Sequence, residues 1–138
     1  MVNTAQIDSY RVSYIIAPRI NAAGRMGDAR IAVKLFTTDD ESEAEKYAFA
    51  LNSSNTKRQE IQDTIFNEAV VIIDDDPGYI KEKVIVVYHE NWHHGVIGIV
   101  ASKLVERYNK PVFVFSVENE KAVGSARGIE GFNIFKAM

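Results

Sequence analysis

The sequence predicts an α/β fold in which a long helix is followed by a βαβ unit, and three observations carry that expectation. From Asp39 to Asp76 no Gly or Pro interrupts the chain, and Tyr47, Leu51, Ile61, Ile65 and Ile72 recur near helical spacing. Val84 to Tyr88 is a continuous β-branched and aromatic run, the pattern of a strand buried on both faces. A second apolar run, Val112 to Val117, follows an amphipathic stretch from Gly95 to Tyr108. Two such strands joined through a helix should pair in parallel with a right-handed crossover.

The elements follow in order. Tyr14 to Ile16 is a short apolar run stopped by Pro18, whose ring disfavours helix at the residue before it, so a strand end is expected there. A small-residue loop punctuated by Asn21, Gly24 and Gly27 comes next, then a helix from Ala29 to Phe36. Asp39 and Asp40 offer an N-cap to the long helix, with Glu41, Glu43 and Glu45 at its positive end. Its apolar stripe fades between Asn52 and Glu60, so that stretch should be exposed, with Leu51, Ile61 and Ile65 buried. Asp74 to Gly78 is a break, read as a solvated loop rather than a metal cluster. The helix after the first strand carries Val96, Ile99, Val100, Leu104 and Val105 on one face. Residues 122–127 form a third strand after a Glu118–Lys121 turn, and Gly131 to Met138 opens a final helix.

Composition narrows the class. The chain has 138 residues, 46% apolar and 25% charged, which excludes disordered and fibrous classes. Cysteine is absent, excluding disulfides and thiolate metal sites and fitting a reducing cytoplasm. No apolar run approaches the ~20 residues that a helical membrane crossing needs, so no membrane partner is expected. The net charge of −3 is unevenly spread: residues 1–36 carry +3, residues 37–82 carry −8 and residues 83–138 carry +2. Either basic end could meet an anion while the acidic middle stays solvated.

Three stretches could carry chemistry. In Ala17 to Met26, Arg19 and Arg25 stand among small residues and could turn guanidinium forks to phosphate oxygens, although solvated or Asp28-paired arginines fit the same residues. In Asn91 to Val100, a strand hands over to a helix, the ligand-binding end of an α/β sheet, with His93 and His94 at its mouth. His89 adds an H-x3-H-H spacing, but adjacent histidines on an extended loop should point apart, which favours a hydrogen-bonding pair over a metal site. Gly95 and Gly98 lack the first glycine of a dinucleotide fingerprint. In Gly124 to Gly128, Ser125 and Arg127 lie two apart on an extended segment and so emerge on one side, suited to one terminal phosphate or simply to a polar edge strand. No base near Ser125 in sequence supports a nucleophilic role.

Together these motifs resemble, in wording and in order, those of the RecJ-type exonucleases of the DHH phosphoesterase superfamily. The resembling stretches are Pro18-Arg19-Ile20-Asn21-Ala22-Ala23-Gly24-Arg25, Trp92-His93 with Gly95-Val96-Ile97-Gly98-Ile99-Val100-Ala101, and Gly124-Ser125-Ala126-Arg127, with Asn55-x-x-Arg58 in the long helix. The resemblance implies that residues 1–36 are the tail of a catalytic DHH domain, residues 37–76 a connector helix, and residues 77–138 the start of a DHH-associated, substrate-binding domain. It further implies an internal fragment of a metal-dependent 5′-to-3′ exonuclease acting on single-stranded DNA in repair and recombination. Its Mn2+ or Mg2+ ligands would lie upstream, since the chain has no Asp-His-His triplet. The fragment alone would bind no metal and be inactive. The implied substrate-binding residues are Ser125 and Arg127 at the 5′-terminal phosphate, Arg19 and Arg25 near the backbone or active-site mouth, His93 as an accessory near the scissile region, and Gly124 and Arg58 without an assigned contact. Two alternatives stay open: a non-catalytic nucleotide- or anion-binding module, and a phosphodiesterase of the same superfamily acting on oligonucleotides or dinucleotides.

Overall fold

The structure is a computed structural model that describes residues 7–137. It comprises two compact units, Met1–Gln59 and Glu60–Met138.

The described residues of the first unit form helices joined by short turns. Asp8 caps α1 (Ser9–Arg11) by accepting the Arg11 N–H at 2.8 Å. A single wide turn, Val12–Ile16, leads into α2 (Ala17–Met26), with the Ala17 N–H reaching back to the Val12 carbonyl. The expected strand end at Tyr14–Ile16 is therefore helix. Pro18 would lose one hydrogen bond and clash with the preceding turn of a regular helix, and an i→i−5 turn just before it loosens that contact. Ala17 keeps helical angles, φ −57° and ψ −39°, so the pre-proline bias is overridden.

The small-residue loop expected next is likewise helix. Ala22 and Ala23 are strong helix formers and are buried, and Ala23 packs with Ala32 and Leu51 in a core flanked by Ile20, Ile31 and Leu35. The small side chains allow close helix approach, which outweighs the cost of about 1 kcal/mol for Gly24 in a helix. Helix α3 (Arg30–Thr37) follows. Arg30 takes Asp28 as its partner, Nε to Oδ1 at 2.8 Å, which holds the Asp28 carboxyl below the usual carboxylate range.

The long helix α4 (Glu41–Asp75) is the expected one, with 35 residues. Asp40 accepts the Glu43 N–H at 3.1 Å, and Thr38 accepts the Asp40 N–H while donating to Glu43 Oε2, a reciprocal cap. The stripe does not fade where apolar residues stop. Asn52, Ser53, Thr56, Lys57, Gln59 and Glu60 are exposed as expected, but Asn55 is buried. Ile61 is half-buried, and its neighbour Gln62 takes the buried place. At about 100° per residue, Gln62 lies about 20° from the phase of the buried Ala69 and Ile61 about 80° away. Helical phase, not residue type, decides burial here.

In the second unit Pro77 opens the short α5 (Pro77–Lys81), capped by Asp76. Strands β1 (Ile85–His89), β2 (Val112–Glu118) and β3 (Lys121–Arg127) form one sheet in that order, β1 parallel and β3 antiparallel to β2. Helix α6 (Ile97–Tyr108) makes the crossover, ends on a left-handed Asn109, and packs on one face. Val87, Val112 and Val114 are fully buried with Val96, Val100 and Leu104. The expectation that β1 is buried on both faces is corrected: Val86 is 46% and Tyr88 66% exposed, because the layer including α6 covers only the face to which Ile85 and Val87 point. The last element is α7 (Ile134–Ala137).

The β2–β3 hairpin turns on Asn119 and Glu120, with φ of 48° and 63°. Two consecutive left-handed residues are the mark of a type I′ turn, which suits Asn at the first position and Gly at the second. Glu120→Gly is therefore expected to stabilise the unit by about 0.5–1 kcal/mol in denaturant melts. A loss of stability would show that the Glu120 side chain makes a contact worth more than the strain.

Candidate functional site

The loop between β1 and α6 is anchored by Trp92. Its indole Nε1 donates to Glu68 Oε2 at 2.8 Å, its carbonyl accepts from the Ser116 hydroxyl, and its ring stacks with His89 at 5.8 Å. Ser116 is the one polar residue in the Val112–Val117 run, and that bond accounts for its burial. With Trp92 held, the chain turns rather than extends: the Val96 N–H reaches the His93 carbonyl at 3.1 Å, and the Gly95 N–H reaches His93 Nδ1 at 3.0 Å. A ring nitrogen that accepts carries no proton, so neutral His93 presents its proton on Nε2. The expectation that His93 and His94 point apart is corrected. Their rings stack with centroids 5.1 Å apart and planes 17° from parallel, because the alternation of an extended loop is lost in a turn.

The first turn of α6 lies against β3, and a glycine makes that possible. A Cβ on Gly98 would stand 3.0 Å from Ser125 Oγ and 3.4 Å from Arg127 Nη2. Arg127 Nη1 donates to Ser125 Oγ at 3.2 Å and to the Ala126 carbonyl at 2.7 Å. The hydroxyl, the guanidinium and the positive end of a twelve-residue helix thus meet at one place. Two motifs lying far apart in sequence come together there, and Gly98 is their point of contact.

Gly124 has a packing reason of its own. It faces Phe115 in the strand register, and a Cβ there would fall 2.4 Å from the ring. The remaining predicted residues lie in the first unit. Arg19 donates from Nε to Asn52 Oδ1 at 3.0 Å and from Nη1 to the Ile15 carbonyl at 2.6 Å, tying α2 to α4. Arg25 is exposed and, six residues on, leaves the helix about 120° around from Arg19. Arg58 donates to Asn55 Oδ1 at 3.3 Å, one turn back on α4. Among the described residues no three His, Asp or Glu side chains gather as metal ligands would. Among the described residues no helix is long and apolar enough to cross a membrane.

Residues 81–138 match the DHHA1 domain family, so the second unit carries a DHHA1 domain sequence. The chain is similar over nearly its whole length to part of the RecJ exonucleases. It is 39% identical over 129 residues to the single-stranded-DNA-specific exonuclease RecJ of Bacillus subtilis, covering 92% of this chain and 16% of that protein. To RecJ of Haemophilus influenzae it is 36% identical over 135 residues, 96% of this chain and 24% of that one. It thus spans a quarter or less of the length of these relatives. Two solved structures share the fold: exonuclease RecJ bound to manganese, with TM-score 0.78, 34% identity, and 94% of this chain and 31% of that one covered, and RecJ of Thermus thermophilus in complex with Mg2+, with TM-score 0.75, 32% identity, and 92% and 19% covered.

Proposed function

We propose that this chain supplies the substrate grip of a RecJ-type exonuclease that degrades single-stranded DNA from its 5′ end in repair and recombination in the cytoplasm. The observation that carries the proposal is the meeting of Ser125, Arg127 and the α6 N-terminus across Gly98. A terminal phosphate carries more charge than an internal phosphodiester, and a guanidinium fork, a hydroxyl and a helix N-terminus each favour it. In this reading residues 1–36 end a catalytic DHH domain, residues 37–76 connect, and residues 77–138 begin the substrate-binding domain. The Mn2+ or Mg2+ seen in RecJ structures would be held by residues outside this chain. In the same reading Arg19 and Arg25 act near the backbone or the active-site mouth, His93 acts near the scissile region, and Arg58 adds to substrate binding from α4.

The test is direct. A 5′-phosphorylated oligodeoxynucleotide is expected to bind the chain more tightly than its 5′-hydroxyl twin, and both strands are expected to stay intact with Mn2+ or Mg2+ present. Equal affinity for the two ends overturns the end-gripping role. Strand cleavage that persists through purification and follows the chain overturns the division of labour.

A further inference from the structure

Beyond the phosphate end, we infer that β3 carries a second subsite, for the internal phosphodiester and base of the nucleotides that follow the 5′ end; this rests on the end-gripping role proposed for Ser125 and Arg127. Strand alternation places Lys121 and Val123 on the same face as Ser125 and Arg127, since successive residues point to opposite sides. The register agrees: Val123 faces Ser116 and Lys121 faces Glu118. At this end of the strand the structure holds a cavity of about 450 Å³ lined by His94, Ser116, Glu118, Asn119, Lys121 and Val123.

Its lining has the chemistry of a nucleotide and not of a free anion. Lys121 supplies one cation for a phosphodiester. His94 offers an aromatic ring and Val123 an exposed apolar surface, to which a base can stack. Asn119 and Glu118 offer acceptors for the exocyclic amine of a base. Ser116 is occupied with the Trp92 carbonyl and serves as wall. Ser125 and Lys121 are four residues apart, about 13 Å of strand. That exceeds by far the ~3.4 Å rise between phosphates in a stacked strand. A terminal phosphate at Ser125 therefore cannot also reach Lys121, whereas a later phosphodiester of the same strand can.

The probes are 5′-phosphorylated mono-, di- and trideoxyadenylate, titrated calorimetrically into the whole chain and its variants. The wild type is expected to bind the trinucleotide roughly tenfold more tightly than the mononucleotide. Lys121→Ala should weaken the trinucleotide about three- to tenfold, reduce its salt slope by about 0.7, and leave the mononucleotide unchanged. His94→Ala should also act on the longer strands alone. Length-independent affinity, no trinucleotide binding at millimolar concentration, or equal loss for all lengths in Lys121→Ala overturns the second subsite. If Arg127→Ala fails to weaken the mononucleotide, the end-gripping role falls, whatever Lys121 does, and the subsite built on it falls too. If Arg127→Ala weakens every length while Lys121→Ala weakens none, the phosphate end stands and the second subsite does not.

Discussion

Gly124→Val is expected to destabilise the second unit by about 1–3 kcal/mol, and the sign of the effect should reverse when Phe115 is also removed. The added Cβ would sit 2.4 Å from Cε1 and 2.5 Å from Cδ1 of Phe115, so the ring must leave its place. Taken alone, valine in a strand is favoured over glycine by roughly 0.5–1 kcal/mol, because glycine gives up more backbone freedom on folding. In a Phe115→Ala background the clash is gone and that preference should remain, making Gly124→Val neutral or stabilising there. Denaturant midpoints for the four proteins give the coupling directly. The cycle also separates two reasons for glycine at this site. If Gly124 serves only packing, the double variant should keep the preference for a 5′-phosphorylated strand. If the DNA approaches Gly124 itself, the preference should be lost in both backgrounds, with or without the phenylalanine.

How legible this molecule is in its sequence differs from element to element, for physical reasons. The long helix, the βαβ order and the hairpin turn follow from local patterns: an uninterrupted stretch with an Asp cap, two β-branched runs, and polar residues between strands. Tyr14–Ile16 misleads because proline biases its neighbour without forbidding helix, and a single wide turn removes the conflict. Val86 and Tyr88 mislead because a continuous apolar run does not say how many faces are covered. Asn55 and Gln62 show the reverse error: phase puts polar residues inside where composition puts them outside. At the site, Ser125 and Arg127 are readable from alternation along one strand. Their partner Gly98 is not, since only the crossover of α6 brings it to β3. Lys121 and Val123, four and two residues before Ser125, follow the same alternation but belong to no motif.

Arg127→Ala should weaken binding of a 5′-phosphorylated single strand by roughly ten- to a hundredfold while leaving a 5′-hydroxyl strand much less affected. Hydrogen bonds to charged groups are worth about 1.5–3 kcal/mol, and a dianionic end draws more from a guanidinium fork than a diester does. A general backbone contact behaves otherwise: its removal weakens both strands alike and lowers the salt slope by about 0.7. Arg127→Lys keeps the charge but not the fork, so it should restore only part of the end preference. Ser125→Ala should act in the same direction by about two- to tenfold, since a neutral hydroxyl contributes one weaker bond. Its loss also removes the acceptor that steadies Arg127 Nη1 at 3.2 Å. Gly98→Ala offers a third arm, because its Cβ would press on both side chains, at 3.0 Å from Ser125 Oγ and 3.4 Å from Arg127 Nη2. It leaves every charge in place, so a loss of end preference without a change in salt slope on the hydroxyl strand would point to geometry as the source of discrimination. Equal losses on both strands for Arg127→Ala would instead leave Arg127 as a general backbone contact and remove the reason for placing the 5′ end at this site.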